Sequence, residues 1–138
     1  MQALVTPEEE PASFMRPRPV SGNWRRSNVP EILDALASVI AARRAADPNE
    51  SYVASLNAKG LNKILEKIGE EAVEVIIAAK DAELGDISNE EVINEVADLV
   101  FHTLVMLDRL GISHNDVLGV LASRQGLSGL EEKASRNQ

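Results

Sequence analysis

This sequence predicts an all-α fold, on three observations. Apolar residues recur at three- and four-residue spacing along each long segment, no convincing stretch alternates apolar and polar residues, and Gly, Ser and Pro interrupt the chain at helix-length intervals. A length of 138 residues with 44% hydrophobic content suits one domain with a real core. The architecture these features imply is an antiparallel bundle of four to five helices with short connections, completed by oligomerisation.

Residues 1–29 carry Pro7, Pro11, Pro17 and Pro19, the run Glu8 to Glu10, and Arg16, Arg18, Arg25 and Arg26, without an amphipathic period. They read as a flexible tail ahead of an all-α domain over residues 30–138. Trp24, the sole tryptophan, has two readings: an anchor that docks the tail, or an exposed aromatic in a loose segment. The first helix is expected from Pro30, where proline at the first helical position costs nothing, with Ile32, Leu33, Leu36, Val39 and Ile40 as its stripe. It runs to about Ala46 and is stopped by Asp47-Pro48.

Ser51 to Ala58 reads as a short helical piece before Gly60, and a long helix follows from Leu61 to Asp81. At about 100° per residue, Leu61, Ile64, Leu65, Ile68, Ala72, Val75, Ile76 and Ala79 fall in one stripe, the expected core face. Lys63, Lys67, Glu70, Glu71 and Glu74 occupy another sector, with Glu71 at its edge nearest the core, while Val73 and Ile77 call for a second packing partner. Gly85 and Ser88 mark a break, and Ser88-x-x-Glu91 is a capping-box pattern opening a helix that ends at Gly111. From Leu99 to Leu110 that helix is apolar all round, which a short chain buries most readily against a second subunit. Ser113-x-x-Asp116 opens a further helix ending near Gly126, and Ser128-x-x-Glu131 caps a last short turn.

Charge is distributed unevenly along this framework. The net charge is −8, yet residues 66–98 hold eleven Asp and Glu against two Lys, which accounts for the whole negative excess. An anionic segment repels nucleic-acid backbones, so no nucleic-acid partner is expected. Cysteine is absent, which excludes disulfides, thiolate metal sites and thiol nucleophiles and suits a reducing compartment. No run reaches the roughly 20 apolar residues of a membrane span and no apolar signal segment opens the chain, so a cytoplasmic protein without a membrane partner is expected.

Within the acidic segment stand Glu70-Glu71-x-x-Glu74 and Glu95-x-x-Asp98. Carboxylates three or four positions apart share a helix face and repel one another, and a surface that only needed solubility would interleave lysines. Asp98 lies where its helix turns apolar, a costly position for a carboxylate unless it is paired or metal-bound. Two such pairs on neighbouring helices suit a hard divalent cation with oxygen ligands, Mg2+ first and Mn2+ as a substitute, and hence metal-assisted hydrolysis of a phosphoanhydride. The bland alternative is a solvated acidic face on a non-catalytic helical dimerisation module. His102 shares a stripe with Glu95 and Asp98 and is either a partner of a ligating carboxylate or phosphate, or a satisfied structural histidine. Lys63, Lys67 and Lys80 are phosphate contacts or ordinary ion-pair partners. Neither a Gly-rich phosphate loop nor a Ser/His/Asp set is present.

At these residues the chain resembles the MazG-like all-α nucleotide pyrophosphohydrolases, whose signature is Glu-Glu-x-x-Glu followed by Glu-x-x-Asp from the next helix. The segments Ser51 to Leu56, Lys67 to Glu74, Ala78 to Lys80, Glu95 to His102 and Ser128 to Arg136 narrow the resemblance, over about residues 31–136, to the phosphoribosyl-ATP pyrophosphohydrolase family. The resemblance implies a Mg2+-dependent cytoplasmic hydrolase that converts phosphoribosyl-ATP to phosphoribosyl-AMP and pyrophosphate, the second step of histidine biosynthesis, as a homodimer or higher assembly. By position it implies Glu71, Glu74, Glu95 and Asp98 as metal ligands, with Glu70 a further ligand or the group that orients water. Lys67, Lys80, His102, Arg124, Lys133 and Arg136 become candidates for phosphate and ribose contacts. The tail has no counterpart in the family core, and nothing resembles the cyclohydrolase domain sometimes fused upstream, so a stand-alone enzyme is expected. A house-cleaning nucleoside triphosphate pyrophosphohydrolase of the same superfamily is the nearest alternative.

Overall fold

Glycine and serine set the helix ends. In the computed structural model, which describes residues 31–125, five helices follow one another: α1 (Ile32–Arg43), α2 (Tyr52–Lys59), α3 (Leu61–Leu84), α4 (Asn89–Arg109) and α5 (His114–Arg124). No strand occurs among the described residues, so the all-α class stands. The tail with Trp24, the start at Pro30, the stop near Gly126, and the last turn with Lys133 and Arg136 lie outside the described residues.

α3 runs three residues past the expected Asp81, because nothing stops it before Gly85. That glycine takes a left-handed φ of 80°, which lets its amide bond Ala82 O and the Asp86 amide bond Asp81 O, closing the last turn. Gly111 ends α4 the same way, with φ 69° and the Ile112 amide on Leu107 O. Ser51 caps α2, its Oγ accepting from the Ala54 amide at 3.3 Å, and Ser113 Oγ accepts from the Asn115 amide at 3.1 Å at the start of α5. Ser88 occupies the cap position of α4, but its side chain makes no capping bond; only its carbonyl accepts from the Glu91 amide, so the expected capping box is not formed. α1 ends at Arg43, short of Ala46, where Arg44 turns aside to pair with Asp108, its Nη1 donating to the Asp108 carbonyl at 3.1 Å.

The two long helices form an antiparallel hairpin across the short link 85–88, and α1 and α2 pack against one end of it. That end holds the core: Ile40, Tyr52, Val53, Leu56, Ile64, Leu104, Val105 and Leu107, with Leu33, Leu36, Ile68, Phe101 and Met106 packed against it. Fully buried Ile40, Ile64 and Val105 each contribute about 2 kcal/mol of hydrophobic stabilisation. α5 buries no residue of its own and is tied back by the bond between His114 Nε2 and Asp34 Oδ1 at 2.6 Å.

The direction in which α3 faces differs from the sequence expectation. Its buried residues are Ile64, Lys67, Glu71 and Ala78, whereas Leu65 and Ile76, assigned to the core stripe, are exposed. α4 presents its own polar stripe to the hairpin seam, so the charged flank of α3 turns inward to meet it and part of the apolar stripe turns out. α4 likewise buries one face through His102, Leu104, Val105 and Leu107, and leaves Val96, Val100 and Leu110 exposed. Among the described residues, no helix is long and apolar enough to cross a membrane.

Candidate metal centre

The seam between α3 and α4 gathers the acidic residues. Glu71 and Glu74 stand one turn apart on α3, Glu95 and Asp98 one turn apart on α4, and the antiparallel pairing sets the two pairs opposite each other. One carboxylate oxygen from each of Glu71, Glu74 and Glu95 lies within 4.8 Å of the other two. Glu71 is 4% exposed, deep at the seam, while Glu74 is exposed and Glu95 half-buried, so the cluster opens from the interior to the surface.

Electrostatics show what this closeness costs. Burial, then the hydrogen bond and charge of Glu74, push the Glu71 carboxyl up to about 7. Burial and then the Glu74 charge raise Asp98, and burial followed by Glu74 and Asp98 raises Glu95. Each of the three is raised by loss of water and by like charge, and the positive charge of Lys67, which lowers Glu71 and Asp98, does not offset them. A cation with oxygen preference answers that deficit, and an oxygen set with an open side leaves room for water or phosphate oxygens around it. The residues present therefore fit a hard divalent ion.

One lysine is built into the seam. Lys67, 9% exposed, places Nζ 2.9 Å from Glu70 Oε2 and 3.6 Å from Glu71 Oε1. Its bond to Glu70 lowers that carboxyl, so Glu70, on the exposed side of α3, holds its negative charge more readily than Glu71. The expected line of carboxylates is thus divided: Glu71, Glu74 and Glu95 converge, Asp98 stands beside them, and Glu70 turns to Lys67.

The other candidates are placed as follows. Lys63 pairs with Glu66 at 3.0 Å, and Lys80 pairs with Glu83 on the surface about two turns beyond Glu74. Arg124 is exposed in the last turn of α5. His102 is fully buried, with Nδ1 2.9 Å from the Asp98 carbonyl and 3.8 Å from Glu71 Oε1, and with Nε2 2.9 Å from the Tyr52 hydroxyl. Tyr52 had no assigned role in the sequence; on a short amphipathic helix an aromatic reads as core, and periodicity cannot show that its hydroxyl meets a histidine fifty residues away.

The family model for phosphoribosyl-ATP pyrophosphohydrolase matches residues 33–125. The phosphoribosyl-ATP pyrophosphatase of Erythrobacter litoralis (strain HTCC2594) is 56% identical over 104 residues, covering 75% of this chain and 95% of that protein. A second, from Hydrogenovibrio crunogenus (strain DSM 25203 / XCL-2), is 51% identical over 108 residues, covering 78% of this chain and 95% of its own length. With both halves of the acidic signature inside the matched region, the chain belongs to the phosphoribosyl-ATP pyrophosphohydrolase family.

Proposed function

We propose that this chain, a hydrolase by family, cleaves phosphoribosyl-ATP into phosphoribosyl-AMP and pyrophosphate, the second step of histidine biosynthesis, and does so at the α3–α4 seam in the cytoplasm. The observation that carries the reading is the convergence of Glu71, Glu74 and Glu95 oxygens within 4.8 Å, with Asp98 beside them. These four would hold Mg2+, with Mn2+ as a substitute. When bound, the ion neutralises phosphate charge and lowers the pKa of coordinated water.

The chain's own residues supply the rest. Glu71, whose carboxyl is raised to about 7 by burial and by Glu74, would release its proton more readily with a cation held beside it. Glu70, paired with Lys67 to one side of the converging oxygens, would orient the attacking water by accepting its hydrogen bond; the water oxygen bonds phosphorus as the anhydride P–O bond breaks, and the proton it releases passes to solvent. Lys67 Nζ provides the nearest positive charge for a phosphate oxygen. Arg124, Lys80, Lys133 and Arg136 complete the candidate set for phosphate and ribose. The catalytic domain is assigned to residues 30–138.

A homodimer or higher assembly is part of the proposal. Val73, Ile76 and Ile77 on α3 and Ile93, Val96 and Val100 on α4 are exposed on the hairpin, and a second copy of the same pair would cover them. Pyrophosphate release from phosphoribosyl-ATP, measured with Mg2+ and after chelation beside a panel of simple nucleoside triphosphates, tests the reading. Metal-dependent turnover with phosphoribosyl-ATP preferred is the expected result; equal or faster turnover of the simple nucleotides would sink the substrate assignment.

A further inference from the structure

We propose that Tyr52 is a positioning residue for the acidic seam, holding His102 so that the α4 backbone at Asp98 and the Glu71 carboxylate keep their spacing. The inference rests on the reading of that seam as the metal centre. α2 supplies no carboxylate to the seam; Tyr52 reaches it through the bond to His102, while Asn57 ties the far end of α2 to Arg109 of α4.

The chain of contacts is directional. A carbonyl only accepts, so the 2.9 Å contact to Asp98 O places a proton on His102 Nδ1. In the neutral ring Nε2 is then an acceptor, and the Tyr52 hydroxyl, 2.9 Å away, must donate to it. The same Nδ1 edge lies 3.8 Å from Glu71 Oε1, so the ring spans α2, α3 and α4. Phe101 and Tyr52 clamp it: His102 meets the Phe101 ring edge-to-face at 5.4 Å and the Tyr52 ring at 5.9 Å, and the two six-membered rings stack at 6.2 Å. Removing the hydroxyl would leave Nε2 a buried acceptor without that donor and free the imidazole to tilt, taking its Nδ1 edge away from Asp98 and Glu71. Groups that orient the immediate metal ligands in this way change metal affinity about ten- to hundredfold when lost.

Mn2+ binding to the full chain without substrate, followed by electron paramagnetic resonance, provides the test. Tyr52→Phe keeps the ring and its packing and is expected to weaken Mn2+ binding about tenfold or more, with kcat recovering towards wild type at saturating metal. His102→Gln, a second variant that loses the Nδ1 edge, is expected to do the same. Ile40→Val, a core change on α1, lowers the melting temperature and should leave Mn2+ affinity unchanged. Wild-type affinity in both Tyr52→Phe and His102→Gln, or an equal loss in Ile40→Val, overturns the positioning role. Absence of Mn2+ binding by the wild-type chain instead removes the metal-centre reading, and this inference with it.

Discussion

The inner seam of the α3–α4 hairpin and its outer face invert the usual distribution of residue types. Inside, Lys67, Glu71 and His102 are buried among one another; outside, Ile76 is 63% exposed and Ile93 62%. A lone hairpin that minimised its own free energy would do the reverse, with isoleucine inward and glutamate outward. Each side of the inversion points to something the single chain supplies too little of: positive charge for the inner carboxylates, beyond that of Lys67, and apolar cover for the outer face. The two deficits differ in kind. The inner one is electrostatic and confined to a few oxygens, while the outer one is hydrophobic and spread over both helices.

The largest effect is expected on the inner side. Asp98→Ala or Glu74→Ala should reduce pyrophosphate release more than about a hundredfold with helical circular dichroism retained, since Glu74 supplies one of the three converging oxygens and Asp98 is the carboxylate beside them. Near-normal turnover would leave the inner acidity without a function. On the outer side, Ile76→Glu combined with Ile93→Glu should convert the proposed dimer or higher assembly to monomers in light scattering while the fold survives, because both positions are already open to solvent in one chain. An unchanged mass would locate the covered face elsewhere.

Acidity provides a gentler probe of the inner side. Glu71 titrates near 7 in the fold against 4.5 as its ordinary value, so protonation favours the folded state: its contribution is full below about 4.5 and is lost as pH rises through about 7. Metal-free protein should therefore lose melting temperature between pH 5.5 and pH 8 more steeply than Glu71→Gln, and Mg2+ at pH 8 should restore it in wild type. Parallel profiles for the two proteins would contradict the burial of an ionisable group at that position. Smallest is Ser51→Ala, which removes the cap of α2 and should cost about 1 kcal/mol in urea denaturation. Because α2 packs at the core end of the hairpin, around Ile64 and Val105, self-association should not respond; a change in mass would mean that the core end and the outer face are coupled.

Much of this was readable from residue order. The helix ends followed Gly85, Gly111, Ser51 and Ser113, whose roles depend only on local backbone chemistry. The carboxylates were legible because Glu70-Glu71-x-x-Glu74 and Glu95-x-x-Asp98 are spacings on a helix, and a helix face is a local property. The facing of α3 was not legible. A stripe of Leu65, Ile68, Ala72 and Ile76 is a sound core by periodicity, but which flank meets α4 depends on what α4 offers, and α4 offers Glu95, Asp98 and His102. Ser88 shows the same limit on a smaller scale: its pattern with Glu91 permits a capping box, and the observed backbone does without the side-chain bond.

By itself, then, the sequence determined the helices, the ends marked by Gly111, Ser51 and Ser113, the acidic signature and the family, all of which rest on neighbours within a turn or on residue order. Only the tertiary structure decided that Lys67 pairs with Glu70 and lies against Glu71, that Glu70 turns away from the oxygens it precedes, and that Tyr52 reaches His102. Those contacts join groups on different helices or choose among rotamers of one helix, and the choice is made by desolvation and charge at the seam, quantities that exist only once α3 and α4 have met.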